Sequence, residues 1–370
     1  MPHAQKLKIL VAPLDWGLGH TTRCIPMISG LLEKGAEVLL AGNEVQQKIL
    51  GAEFPQCRFL PLEGYNVKYA SSSGGFMVKM MRQLPRILSV IKAENAWLKQ
   101  AVAQNGIHGV ISDNRFGLCH AGIPCVFITH QLQVKTGMGK AADIFARSVN
   151  YRQIRKFSAC WVPDFEGPVN LGGELSHPAV MPAPGCYYIG PLSRVDRVPV
   201  KANKKHILFI ISGPEPQRTV FENKVFKQLK ENTQPVVIVR GRPLDITTPV
   251  LENAVVYNHL PKNELQQLML EAQFIVCRSG YSSVMDINAI QAKAILIPTP
   301  GQTEQEYLAN HLMKNKFAVS GSQQDLDATS FLDKARQFSY EGFIEPNADL
   351  LSGAIDIFLQ DCRANSAAIL

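Results

Sequence analysis

Short apolar runs alternate with amphipathic stretches along the whole chain. In the first half Lys8–Ala12, Glu37–Ala41, Arg58–Pro61, Gly109–Ser112, Cys125–Thr129 and Cys160–Val162 are aliphatic and bounded by Gly, Pro or Asp. Such runs read as strands buried on both faces of a parallel sheet. Between them Arg23–Lys34 and Leu84–Gln104 carry helical periodicity. The second half repeats the rhythm, with strands expected at His206–Ile211, Val236–Arg240, Ala254–Tyr257, Phe274–Cys277, Ala294–Ile297 and Ala318–Ser320. Helices are expected there at Arg218–Glu231, Lys262–Glu271, Ser283–Gln291, Gln305–Lys314 and Ser330–Phe338.

Strand–helix alternation with right-handed crossovers predicts an α/β protein of two Rossmann-like, doubly wound parallel-sheet domains facing a cleft. Ligands of such sheets sit at the carboxyl ends of the strands. The expected division is residues 1–190, a linker over 191–204, a second domain over 205–345, and a carboxy-terminal part over 346–370. The linker begins at Gly190-Pro191-Leu192-Ser193-Arg194 and continues as a polar, basic run to Lys205. A last helix over Ala348–Cys362 would pack back on the first domain.

Composition narrows the class. A chain of 370 residues is too long for one ordinary core and suits two domains. No segment approaches the roughly 20 apolar residues of a membrane-spanning helix, and Lys8–Ala12 is too short for a secretory core. The eight cysteines are scattered without a C-x-x-C pair, so neither a zinc site nor a disulfide framework is indicated. A cytoplasmic location is expected. The net charge of +7 suits phosphate ligands or an anionic lipid face, and the chain lacks the basic, aromatic-interleaved pattern of nucleic-acid binders.

The densest chemistry lies at Cys277-Arg278-Ser279-Gly280-Tyr281-Ser282-Ser283, where a buried strand turns into a helix. Unpaired N–H groups at a helix start form an anion site, and Gly280 allows close approach of a phosphate. Ser282 and Ser283 add hydroxyls. Asp286 would accept from ribose hydroxyls or form a capping box with Ser283. A second phosphate loop is expected at Ser212-Gly213-Pro214-Glu215-Pro216, and Pro298–Glu306 offers polar side chains to sugar hydroxyls or to its own helix start.

Together Cys277–Gly280, Asp286, Ile297-Pro298, Glu304-Gln305 and Asn310 resemble the carboxy-terminal signature of MurG-type, family-28-like glycosyltransferases of the GT-B superfamily. Tyr187–Leu192 is similar to the interdomain stretch of that family. The resemblance implies a UDP-sugar donor. Its diphosphate would lie on Ser212, Gly213, Arg278, Ser279, Gly280, Ser282 and Ser283, its ribose at Asp286 and its base at His259-Leu260. The sugar would lie at Thr303, Glu304 and Gln305. No separate cofactor is implied. Two departures stand out: Asp286 is one methylene shorter than the usual Glu, and the proline-bearing loop at Ser212–Pro216 replaces Gly-Gly-Ser.

In the first half, Gly17-Leu18-Gly19-His20 with Arg23 directly follows a strand and resembles the G-x-G-H acceptor loop of the same superfamily. The first domain would then hold the acceptor and the second the donor. Transfer with inversion needs a base, and an imidazole oriented by a carboxylate suits that role. His20 is the candidate base and Asp113 its candidate partner. The alternatives are a backbone-ordering histidine and a helix N-cap. His130, also at a strand end, is a further cleft candidate. No D-x-D metal motif lies in a suitable loop, since Asp325-Leu326-Asp327 reads as a helix cap. Metal is therefore not expected.

The expectation is an inverting, metal-independent glycosyltransferase acting on a small-molecule, glycan or lipid-linked hydroxyl acceptor, with no nucleic-acid partner. The Gly17–Cys24 string also resembles the first loop of the UDP-sugar hydrolase of pseudaminic acid synthesis, in which water replaces the acceptor. A non-catalytic sugar-nucleotide-binding protein is the third reading. Gly75–Lys92 mixes Phe76, Met77, Met80, Met81 and Leu84 with Lys79, Arg82, Arg86 and Lys92. It reads either as a core helix or as a peripheral contact with the inner membrane face.

Overall fold

The computed structural model describes residues 6–65, 76–183, 185–196, 203–229, 234–345 and 349–369. The side chains of 76–82, 84, 349, 368 and 369 lie outside that description, and with them Phe76, Met77, Lys79, Met80, Met81, Arg82 and Leu84 of the proposed membrane-contact segment.

The first sheet is built from β1 (Lys8–Pro13), β2 (Glu37–Gly42), β3 (Arg58–Pro61), β4 (Gly109–Asp113), β5 (Cys125–Ile128), β6 (Ala159–Val162) and β7 (Cys186–Tyr188). Its order is β3-β2-β1-β4-β5-β6-β7, every pair parallel. The helices of this half are α1 (Leu18–Arg23), α2 (Ile25–Glu33), α3 (Glu44–Glu53), α4 (Phe76–Asn105) and α5 (Lys140–Ile154).

The second sheet uses β8 (His206–Ile210), β9 (Val236–Val239), β10 (Ala254–Tyr257), β11 (Ala272–Cys277), β12 (Ala294–Leu296) and β13 (Val319–Ser320). It runs β10-β9-β8-β11-β12-β13, again all parallel. Its helices are α6 (Gln217–Gln228), α7 (Lys262–Glu271), α8 (Tyr281–Ala289), α9 (Thr303–Lys314) and α10 (Ala328–Gln337). The chain thus has the two Rossmann-like parallel α/β domains that the sequence predicts.

Three elements escape the sequence pattern. The α3 helix buries only Gln46, Ile49 and Leu50, and it is fixed by a capping box between Asn43 and Gln46. The α5 helix leaves Ile144, Phe145 and Val149 exposed, so its apolar positions do not mark a buried stripe. The edge strand β7 is three residues long. Asp327 caps α10 through Thr329 and Ser330.

The last helix, α11 (Asp349–Ile369), packs on the first domain. Lys34 pairs with Asp356 at 2.7 Å, and Trp161 meets Phe358 edge-on. Gly109 is required for this docking, because a Cβ there would lie 2.5 Å from Cys362 Sγ and 2.7 Å from Phe358 Cζ. Among the described residues no helix is long and apolar enough to cross a membrane, and no group of His, Cys, Asp and Glu is arranged to hold a metal ion.

Candidate functional site

The carboxyl ends of β1, β4 and β5 face those of β8, β11 and β12 across the cleft, and the loops after them carry the site. Gly17, with φ 99°, turns the chain out of β1 and into α1. The turn brings His20 and Arg23 over Asp113 at the end of β4. His20 Nδ1 lies 3.2 Å from both carboxylate oxygens. Arg23 donates to the same carboxylate through Nε at 2.8 Å and again through Nη2. Burial alone would raise the Asp113 carboxyl, but Arg23 and His20 outweigh it and hold the group well below the ordinary range. Burial, reinforced by the Arg23 charge, pushes the His20 imidazole below its ordinary value against the pull of Asp113. His20 is therefore a neutral imidazole near pH 7. With Nδ1–H directed at a carboxylate, Nε2 keeps its lone pair.

Arg23 reaches further. Its Nη1 lies 3.3 Å from His130 Nδ1, and His130 Nε2 lies 2.7 Å from Glu304 Oε1 in the first turn of α9. The His130 ring also stacks on Tyr281, the first residue of α8, at 4.1 Å. One network therefore joins the two domains and gathers four expected site residues, His20, Arg23, Asp113 and Glu304. His130 was visible in the sequence as a strand-end histidine, but nothing there marked its partners.

The α8 start meets the first domain directly: a Cβ on Gly19 would lie 2.7 Å from Ser282 Oγ. Nothing lies within 4 Å of a Cβ built on Gly280 or Gly213, so both glycines border open space. The Ser212–Pro216 loop keeps its acidic residue engaged, since Glu215 accepts from Arg218 Nε at 2.6 Å and from Thr219 N–H at 3.2 Å.

Other expected residues are placed differently. Arg278 is not a contact group for a diphosphate, because its head is 1% exposed and donates to Ile297 O, Pro298 O, Gln217 O and Gln323. Burial, with no carboxylate bonded to it, pushes its pKa down to about 9. Ser279 donates its hydroxyl to Gln305 O at 2.8 Å. Asp286 is occupied by the connector between the domains: Oδ1 accepts from Ser193 Oγ at 2.9 Å and Arg194 N–H at 3.1 Å, and Oδ2 from Arg194 Nε at 3.0 Å. Thr303 donates to Lys135 O across the cleft, and Gln305 Oε1 accepts from Thr299 N–H at 2.8 Å. Leu260 is buried, leaving His259 half-exposed beside it. Among the described residues, Trp16 Nε1, and Thr299 Oγ1 and Gln302 Oε1 of the Pro298–Glu306 stretch, are buried without a partner. Buried polar groups are normally paired, so these three atoms stand out among the described residues.

Comparison with known proteins bears on the fold that carries these residues. Residues 208–338 match the glycosyltransferase family 28 C-terminal domain. An uncharacterized glycosyltransferase of Methanosarcina mazei is 23% identical over 341 residues, spanning 81% of this chain and 82% of its own. Among solved structures, the glycosyltransferase SnogD of Streptomyces nogalater superposes with TM-score 0.60 at 15% identity, covering 99% of both chains. MurG of Acinetobacter baumannii superposes with TM-score 0.55 at 13% identity, covering 96% of this chain and 99% of its own. The likeness to these solved structures is one of fold, two Rossmann-like parallel α/β domains of the GT-B kind, and the second domain carries the family 28 match.

Proposed function

We propose that this GT-B-like chain is an inverting, metal-independent glycosyltransferase that moves a hexose or N-acetylhexosamine from a UDP-linked sugar to a hydroxyl acceptor. The observation that carries the reading is the His20–Asp113 pair lying against the start of α8. In this reading Nε2 of His20 takes the acceptor proton while the acceptor oxygen attacks the anomeric carbon. The bond to the diphosphate breaks with its electrons passing to the departing oxygen. The imidazolium that forms is stabilised by Asp113 at 3.2 Å. Charge on the diphosphate is met by the α8 N–H groups, by Ser282 and Ser283, by the loop at Gly213, and by the field of Arg278. Glu304, Gln302 and Thr299 are the groups nearest to serving sugar hydroxyls. The acceptor would be a small molecule, a glycan or a lipid-linked hydroxyl, reached from the cytoplasmic side.

The test begins with a thermal-shift screen of nucleoside diphosphates and their sugars, since a ligand present at 100 times its Kd stabilises by about 2.7 kcal/mol. UDP and a UDP-sugar are expected to shift the transition selectively. Donor consumption is then followed with an acceptor panel, where His20→Ala should lower turnover about 10²–10⁴-fold. Wild-type turnover in His20→Ala would remove the base assignment.

A further inference from the structure

Among the described residues, a hydrogen-bonded chain runs from Asp113 through Arg23 and His130 to Glu304 of the second domain. A guanidinium carries only donors, so the 3.3 Å contact from Arg23 Nη1 requires a lone pair on His130 Nδ1. The ring proton then sits on Nε2, where Glu304 accepts it at 2.7 Å. Protonating both ring nitrogens would set an N–H against the guanidinium and break the contact. The orientation of the ring is fixed by its face-to-face stacking on Tyr281, at 4.1 Å and 1°. Both residues that hold His130 in place, Tyr281 on α8 and Glu304 on α9, belong to the second domain. The residue it holds in turn, Arg23, belongs to the first and grips Asp113.

We propose that His130 is a positioning residue that couples the His20–Asp113 pair to the second domain: Glu304 orients His130, His130 steadies Arg23, and Arg23 sets the charge seen by His20. The titratable and charged groups facing this chain are His20, Arg23 and Cys24 from the first loop and α1, Asp113 from β4, Tyr281 from α8, and Glu304 from α9. Glu304 is in the turn expected to meet the donor sugar. A sugar hydroxyl that donates to Glu304 competes with His130 for that carboxylate, so the proton affinity of the base responds to the occupant of the second domain. The consequence for turnover rests on the proposed function, but the coupling itself does not.

The test needs no substrate. Histidine side-chain NMR titrations of the full chain, with His20 assigned from His20→Asn, are compared for the wild type, Glu304→Gln and Glu306→Gln. Glu306 lies in the same helical turn but is engaged by Gly301 N–H at 2.8 Å instead of by His130. Removing the Glu304 charge should lower the His20 pKa by about half a unit, the attenuated form of a direct neighbour's effect, and should move the His130 resonances with it. Glu306→Gln should leave both unchanged. His130→Leu, which removes both the donor to Glu304 and the acceptor for Arg23, should also displace the His20 titration. A His20 titration that stays in place in Glu304→Gln, or that moves equally in Glu306→Gln, overturns the proposal. Glu306 is exposed, and a Gln at position 304, where the side chain is 21% exposed, still accepts from His130 Nε2–H, so both variants should remain folded, which thermal unfolding checks.

Discussion

Arg23 grips both carboxylate oxygens of Asp113, through Nε at 2.8 Å and through Nη2, with the two side chains 2% and 0% exposed. In Asp113→Asn the shape is kept but a buried guanidinium loses its counter-charge, which costs about 3–5 kcal/mol when one partner of a buried pair is removed. Urea unfolding of Asp113→Asn should show a loss of that size. Adding Arg23→Met should recover part of it, because apolar replacement of a whole buried pair is often close to neutral. An Asp113→Asn midpoint equal to the wild type would mean that the pair does not hold this end of the cleft together.

The same cluster gives the stability a pH dependence whose sign follows from the two shifts. Asp113 has a folded pKa below the unfolded value of about 3.9, so its contribution is present above that pH and lost as pH falls through the folded pKa. His20 is also lowered, from 6.5. Between its folded and unfolded pKa values the unfolded chain binds more protons, so stability rises with pH there and His20's share is complete above pH 6.5. Both groups therefore destabilise the fold toward acid, His20 first. Unfolding free energies measured from pH 5 to pH 7 should rise in the wild type and rise less steeply in His20→Asn. Equal slopes would mean that the imidazole is not held neutral by its surroundings.

How much of this could be read from the sequence depended on whether a residue's partners were local. Strands such as Lys8–Pro13 and Ala272–Cys277 are buried on both faces, so their apolar runs were plain, and the turns that follow them marked His20 and Gly280. The helix α3 buries only Gln46, Ile49 and Leu50, and α5 exposes Phe145, so neither left the amphipathic stripe that periodicity detects. Side-chain direction was the other limit. The sequence places Arg278 beside the phosphate turn, yet its guanidinium is drawn away by four acceptors that lie 19 to 61 residues distant along the chain. His130 illustrates the same point, since the carboxylate it meets belongs to Glu304, 174 residues away.

Asp286 is the position where an expected ligand contact is filled by the chain itself. Its carboxylate takes three hydrogen bonds from Ser193 and Arg194, yet burial dominates and the carboxyl stays above its ordinary value. Asp286→Asn keeps an acceptor for Ser193 and Arg194 N–H and gives up a charge that burial already disfavours, so it should cost about 1 kcal/mol, the net value of a typical hydrogen bond. Asp286→Ala removes the carboxylate that accepts from Ser193 and Arg194 and should cost about 3 kcal/mol or more. Equal losses in the two variants would show that the negative charge, rather than the hydrogen bonds, fastens the connector to α8.

The contact between Gly19 and Ser282 sets how closely α1 can approach α8. A Cβ at Gly19 would lie 2.7 Å from Ser282 Oγ and 3.1 Å from its Cβ, so even alanine must displace the serine, and valine must separate α1 from α8. Overpacking of this kind costs about 1–3 kcal/mol. Gly19→Val should therefore weaken binding of the nucleoside diphosphate identified by thermal shift about tenfold, the equivalent of about 1.4 kcal/mol. Gly19→Ala should have a smaller effect, and Ser282→Gly should absorb it, because the added methyl then meets empty space. Calorimetric titration of the single and double variants reads this as a coupling energy between the two positions. Strict additivity would place the two residues out of contact in the binding-competent state, and the cleft would then open at α1 before it admits its ligand.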